Sequence, residues 1–118
     1  ALVFCFPTWC FGLPAMLKGF FDRVLMPGVA FDISTPENVK PALTNIKRIV
    51  GVATYGRPRY VAWYMGDPPR KVITRYLRLL TGGSARADYY AHYHMNMATP
   101  ASLDAFKQRV AHAMSTLG

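Results

Sequence analysis

The chain opens on Ala1-Leu2-Val3-Phe4-Cys5-Phe6, a run without one charged or hydrogen-bonding polar side chain. Side chains on a strand alternate between the two faces of a sheet. A run that is apolar at every position therefore needs cover above and below, and neighbours along its edges. Left open, such an edge would invite pairing with other chains. The run predicts a strand inside a parallel sheet, and it starts as though other strands came before it. Ile49-Val50-Gly51-Val52-Ala53 is a second run of the same kind and predicts a second buried parallel strand.

Between and after these runs the period changes. Pro14 fits the first position of a helix, where its missing N–H is not needed. Met16, Leu17, Phe20, Phe21, Val24 and Leu25 then recur at helical spacing until Pro27-Gly28 ends the pattern. Residues 29–45 hold Pro36, Asn38, Pro41 and Asn45 and read as a long connection, of the kind that more often serves a function or a partner than lies idle. Residues 54–69 are turn-rich and aromatic. Asp67-Pro68-Pro69 supplies a cap and helix-start prolines. Val72, Ile73, Tyr76, Leu77 and Leu80 make one face of the helix that follows, and Gly82-Gly83 stops it. In the third strand Ala87, Tyr89, Ala91 and Tyr93 fall on one side, with Asp88, Tyr90, His92 and His94 on the other. Thr99-Pro100 opens a last helix with the core stripe Leu103, Phe106, Val110, Ala113 and Leu117. Strands alternating with helices predict an α/β fold: a parallel sheet with right-handed crossovers and helices on both faces.

Apolar residues make up 52% of the chain and charged residues 17%, a globular balance. No apolar run approaches the roughly 20 residues that a membrane-crossing helix needs. No signal peptide is expected, because no basic segment leads into an apolar stretch and a cleavage site. Cys5 and Cys10 are the only cysteines and make no disulfide framework, which fits a reduced, cytoplasmic setting. The formal charge of +8 favours anionic partners without choosing among them.

In sheets of this type ligands bind beyond the carboxyl ends of the strands. Pro7 to Gly12 and Thr54 to Arg59 occupy those positions. The first segment sets Trp9 and Phe11, two flat apolar walls, beside backbone N–H groups that can approach a planar heterocycle edge-on. The plainer reading is a turn whose aromatics pack into the core. Cys10 reads as a small apolar loop residue, with a reactive thiol as the alternative, and Cys5 as core. His92 and His94 could offer two metal ligands from one strand face, but no third ligand stands at useful spacing, so no metal is expected. Tyr89, Tyr90 and Tyr93 could stack on bases, which keeps a non-enzymatic nucleic-acid binding module as an alternative. Arg57 and Arg59 could meet a cofactor or nucleotide phosphate, whereas Arg70, Lys71, Arg75 and Arg78 read as a solvated helix face.

Pro7-Thr8-Trp9, Phe11-Gly12-Leu13-Pro14-Ala15-Met16-Leu17-Lys18-Gly19-Phe20-Phe21-Asp22-Arg23-Val24 and Pro27-Gly28-Val29-Ala30-Phe31 together resemble, without a gap, the flavodoxin-like NAD(P)H:quinone reductase family. Thr54-Tyr55-Gly56 resembles that family's second flavin-contacting loop, and Gly66-Asp67-Pro68-Pro69-Arg70 resembles its bacterial members. The resemblance implies a three-layer, five-stranded parallel sheet. Residues 1–118 would be the C-terminal portion of that single domain and carry strands three, four and five. It implies FMN or FAD as cofactor, NAD(P)H as co-substrate, a quinone or similar electrophile as acceptor, and a homodimer without membrane insertion or nucleic acid. Pro7, Thr8, Trp9, Cys10 and Phe11 would then line the flavin ring, with Thr54, Tyr55 and Gly56 at its polar edge. Trp9, Phe11 and Tyr60 would face the site shared by nicotinamide and quinone, completed by Phe31 and its neighbours from a partner subunit. Some members place a Tyr and a His after the fourth strand as a charge-offsetting relay. This chain has Tyr55, Tyr60 and Tyr64 there but no histidine, so no catalytic residue is assigned. Nothing in the chain matches the family's phosphate-binding loop, which leaves an inactive fragment as a further alternative.

Overall fold

The computed structural model describes residues 1–117. In chain order the elements are β1 (Leu2–Pro7), α1 (Ala15–Val24), β2 (Phe31–Asp32), β3 (Lys40–Pro41), β4 (Arg48–Thr54), α2 (Arg59–Tyr64), α3 (Pro68–Lys71), a π-helical turn (Val72–Tyr76), α4 (Leu77–Leu80), β5 (Arg86–His92), a 3-10 turn (Met95–Met97) and α5 (Pro100–Ser115). The three long strands form a parallel sheet in the order β1-β4-β5. The two apolar runs are therefore direct neighbours, as their composition predicts. None of the described helices is long and apolar enough to cross a membrane.

The register fixes what each face carries. Leu2, Ile49 and Ala87 lie side by side, as do Phe4, Gly51 and Tyr89, and Phe6, Ala53 and Ala91. This face is covered by α1, whose Phe21 meets Phe4 edge-on at 5.1 Å, and by the rod that runs from α3 through the π turn to α4. Ile73, Leu77 and Leu80 of that rod are buried in the same cluster as Phe6, Phe21 and Ile49. Each such side chain contributes roughly 1.5–3 kcal/mol by leaving water. Gly82 and Gly83, both at positive φ, end the rod as expected, with the Gly83 N–H returning to the Arg78 carbonyl at 3.0 Å.

On the other face α5 packs against β5. Its N-terminus is closed by a reciprocal pair: the Ser102 N–H donates to Thr99 Oγ1 and the Thr99 N–H to Ser102 Oγ. Ala113 is buried, with Leu103, Phe106 and Val110 half-buried beside it. Val50 and Val52 are covered here, but Val3 and Cys5 at the β1 edge are exposed. Cys5 is thus not core, because α5 sits over β5 and leaves β1 open.

Other segments depart from the sequence reading. Pro14 precedes helix α1 as its cap residue instead of opening it, and Met16 points to solvent. Residues 29–45 are not a free connection. β2 and β3 pair as a short antiparallel ladder, Phe31 with Pro41 and Asp32 with Lys40, and the Leu43 N–H docks on the Leu80 carbonyl at the end of the rod. Within the aromatic stretch 54–69 the chain forms α2, whose only buried residue is Ala62.

Gly51 sits where the central strand is most crowded. A Cβ built there would fall 2.6 Å from Cδ2 of Tyr89 and 3.0 Å from Cγ2 of Ile73. Both neighbours are packed and cannot swing aside freely. Gly51→Ala is expected to lower unfolding free energy by about 1–3 kcal/mol, the usual range for overpacking. Urea denaturation would show this as a lower midpoint at unchanged slope.

Candidate functional site

At the carboxyl end of the sheet, β1 and β4 hand over to two loops that are tied together. The Thr8 N–H and Thr8 Oγ1 both donate to the Thr54 carbonyl, at 2.8 and 2.9 Å. The first loop then turns sharply. Trp9 and Gly12 exchange backbone hydrogen bonds of 3.3 and 2.9 Å, with Cys10 at φ 51° and Phe11 at φ 58° between them. Two central residues at positive φ describe a mirror-image hairpin turn, normally built from Asn and Gly. A Phe in that region is a genuine outlier, and each such residue costs of order 1–3 kcal/mol. Backbone strain of this size marks a site where shape is kept for a purpose.

The turn leaves the Cys10 and Phe11 N–H groups without a partner among the described residues. The same is true of the Gly56 and Arg57 N–H groups across the gap. Cys10, Gly56 and Arg57 are exposed and Phe11 half-buried, so these N–H groups are open to acceptor atoms brought by a ligand. Trp9 is 64% exposed beside them, and Phe11 is half-buried. These groups suit the edge of a planar, acceptor-rich ring lying between apolar walls. Pro7, Thr8, Trp9, Cys10, Phe11, Thr54 and Gly56 all come together here. The end of β5 closes the third side: the His94 N–H donates to the Arg57 carbonyl and the Met95 N–H to the Tyr55 carbonyl, both at 2.9 Å.

Tyr55 is different. Its N–H donates to the His92 carbonyl, its carbonyl is taken by Met95, and its side chain is 2% exposed. The phenol donates to Asp67 Oδ1 at 2.5 Å and stacks on Tyr93 with ring centres 4.7 Å apart. Because its one proton goes to Asp67, the 2.7 Å contact with the Tyr89 hydroxyl must have Tyr89 as donor. Burial, reinforced by the bond to Asp67, pushes the Tyr55 phenol far above the usual tyrosine range, and burial raises Tyr89 as well. The side chain of Tyr55 thus anchors the second loop from beneath.

Arg70 continues this network. Its Nε donates to Asp67 Oδ2 at 2.9 Å, its Nη2 to the Tyr93 hydroxyl at 2.7 Å, and its guanidinium lies 4.5 Å above the Tyr89 ring. Burial works against its charge, but the bonds to Asp67 and Tyr93 outweigh it and raise its pKa. Arg70 is therefore not part of a solvated face. The periodicity counted it with Arg75 and Lys71, which are exposed, and the only hint was Asp67 placed three residues before it.

Of the remaining sequence-predicted residues, Tyr60 is 71% exposed on α2, next to the second loop. Phe31 is not brought to the loops. It packs in the β2–β3 hairpin, which docks near Leu80 at the amino end of the sheet, where Val29 and Leu43 share an apolar recess with Leu2 and Ile49. The two histidines do not share a strand face. β5 ends at His92, and His94 takes up a left-handed conformation. His92 instead contacts Ser102 Oγ at 3.4 Å and the edge of Phe106. Among the described residues no three His, Cys, Asp or Glu side chains gather as a metal site would require.

A parallel sheet clad by helices, with two loops gathered at the strands' carboxyl ends, is the α/β arrangement in which ligands bind beyond those ends. The family described as having a flavodoxin-like fold matches residues 1–117, and the chain belongs to it. Over 55 residues it is 40% identical to the NAD(P)H dehydrogenase (quinone) 1 of Rattus norvegicus, which covers 47% of this chain and 20% of the relative. Over 71 residues it is 37% identical to an FMN-dependent NADH:quinone oxidoreductase of Lachnoclostridium phytofermentans, covering 60% of this chain and 35% of the relative. The fold matches an FMN-dependent NADH-azoreductase from Bacillus anthracis with a TM-score of 0.78 at 18% identity, over 99% of this chain and 56% of that one. The chain thus spans about half the length of that solved structure.

Two outcomes test the geometry. Cys10→Gly removes a side chain from a left-handed position and is expected to raise stability by about 1 kcal/mol. Thermal melts of the two proteins compare this directly. Tyr55 and Tyr89 have raised pKa values in the folded state, so they favour the fold fully below the unfolded tyrosine pKa of about 10. Above that pH the unfolded chain loses phenolic protons that the folded one keeps. Stability should therefore fall from pH ~10 upward, by up to about 1.4 kcal/mol per pH unit for each tyrosine. Tyr55→Phe should make that fall shallower in denaturation series run between pH 8 and 11.

Proposed function

We propose that the chain forms the ring-binding side of a flavin site in an oxidoreductase that takes electrons from NAD(P)H and delivers them to a quinone or similar electrophile. The observation that carries this reading is the strained Trp9–Gly12 turn, whose Cys10 and Phe11 N–H groups have no partner among the described residues and which Thr8 ties to the loop of Gly56 and Arg57. The donors fit FMN or FAD alike, since both present the same ring edge. When bound, a flavin supplies the centre that accepts hydride from NAD(P)H and donates it onward, so that NAD(P)H, one proton and a quinone give NAD(P)⁺ and hydroquinone. Pro7 to Phe11 hold one side of the ring, and Gly56 with the end of Thr54 holds its polar edge. Trp9, Phe11 and Tyr60 present aromatic surface to whichever planar substrate lies against the ring, and exclude water from it.

Phe31 lies in the β2–β3 hairpin, which is tied to the end of the rod through Leu43 and Leu80 and not to the two loops. We therefore include a homodimer in the proposal, with Phe31 and its hairpin lent across the interface. The names of the relatives support the flavin reading over a nucleic-acid module, because they are reductases of NAD(P)H and quinones or an FMN-dependent azoreductase.

The test is spectroscopic. The protein titrated with FMN and with FAD should acquire flavin absorbance that survives desalting, with quenched flavin fluorescence. Trp9→Ala should weaken that binding at least tenfold. A protein that stays colourless with both flavins would sink the proposal.

A further inference from the structure

Beside the second loop, α2 and the start of the rod enclose a recess of about 440 Å³, walled by Arg59, Trp63, Arg70, Lys71, Arg75 and Tyr93. Four cations look into it, against one carboxylate, that of Asp67. Both Asp67 oxygens are already engaged, one by the Tyr55 hydroxyl and one by Arg70. Among the described residues Arg59, Lys71 and Arg75 make no ion pair. Gathering like charges around a concavity is unfavourable unless an anion enters, and there field lines concentrate instead of dispersing into solvent.

The recess is also built in advance. Arg70 is fixed on three sides by Asp67, the Tyr93 hydroxyl and the Tyr89 ring, so little side-chain freedom remains to be lost when it binds. Lys71 lies over Gly66, its Nζ 3.7 Å from where a Cβ would stand. The volume exceeds what a lone phosphate fills and lies in the range of small-molecule pockets. Trp63, 80% exposed, offers a flat face for a ring beside the cations. Arg59 opens α2 three residues after Gly56, so the recess adjoins the donor-rich edge.

We propose that this recess holds the phosphate-bearing end of a nucleotide. In the NAD(P)H reaction proposed above, on which this assignment rests, it selects NADPH over NADH through the extra phosphomonoester. Arg59, Arg70, Lys71 and Arg75 surround that group as charge-assisted donors, and the adjoining base lies against Trp63.

Calorimetric titration with adenosine 2′,5′-bisphosphate and with adenosine 5′-monophosphate tests this without turnover or flavin. The bisphosphate should bind at least tenfold tighter, and should shift the Trp63 indole N–H resonance, assigned through Trp63→Phe. Lys71 and Arg75 are exposed, so Lys71→Ala/Arg75→Ala should keep the fold by circular dichroism and lose most of that preference. Equal affinity for the two nucleotides, or a preference that persists in the double variant, overturns the proposal. The two readings fail separately. A protein that takes up flavin without this preference loses the recess assignment and keeps the reaction. A protein that prefers the bisphosphate but never binds flavin keeps the phosphate site and loses the reaction.

Discussion

The polar half of the molecule depends on a missing Cβ in its central strand. With hydrogen alone at Gly51, the Tyr89 ring from the neighbouring strand can lie across the sheet. Its hydroxyl then reaches Tyr55, and because the Tyr55 proton is donated to Asp67, Tyr89 donates to the Tyr55 oxygen. Asp67 in turn fixes Arg70, and Arg70 closes the circuit on Tyr93 and on the face of Tyr89. A half-satisfied buried network is worse than an apolar core, and a satisfied one specifies a single arrangement. Here the arrangement specified is the path of the chain from β4 through α2 to the rod, which is what sets the second loop opposite the first.

The first loop works by the opposite means. Nothing beneath it compensates the left-handed Cys10 and Phe11 with internal hydrogen bonds; the Thr8–Thr54 tether and the Trp9–Gly12 pair hold the ends while the middle stays strained. The two loops thus reach one geometry by different routes, the first by local strain and the second by a buried network. Both routes end in the same result, N–H groups with no partner among the described residues.

How far the chain's own sequence discloses this follows the range of each interaction. Local patterns were legible. The two apolar runs became adjacent parallel strands, Thr99-Pro100 opened α5, and Gly82-Gly83 closed the rod. The place of the two loops, at the carboxyl ends of β1 and β4, was legible because the apolar runs that precede them were. What escaped was set by packing between distant segments. Cys5 looks like core until the cover on the α5 face is seen to stop short of β1, and Phe31 looks like connection until Leu43 docks on Leu80. Tyr55 reads as a loop residue, yet it is the deepest tyrosine in the fold, since Asp67 and Tyr89 draw it inward across separations of 12 and 34 residues. Helical period could not separate Arg70 from Arg75 and Lys71, because burial there depends on Tyr89 of β5 and on Tyr93 just beyond its end.

Arg70 is where the two parts of the site meet. One side of its guanidinium completes the network that anchors the second loop, and the other side faces the cationic recess. A lysine could not do both. Its compact ammonium would satisfy Asp67 but would not lie flat on Tyr89 while reaching Tyr93. The same planar group that locks the loop therefore presents its remaining donors outward in a fixed direction, so that loop position and anion recognition are held by one rigid fork.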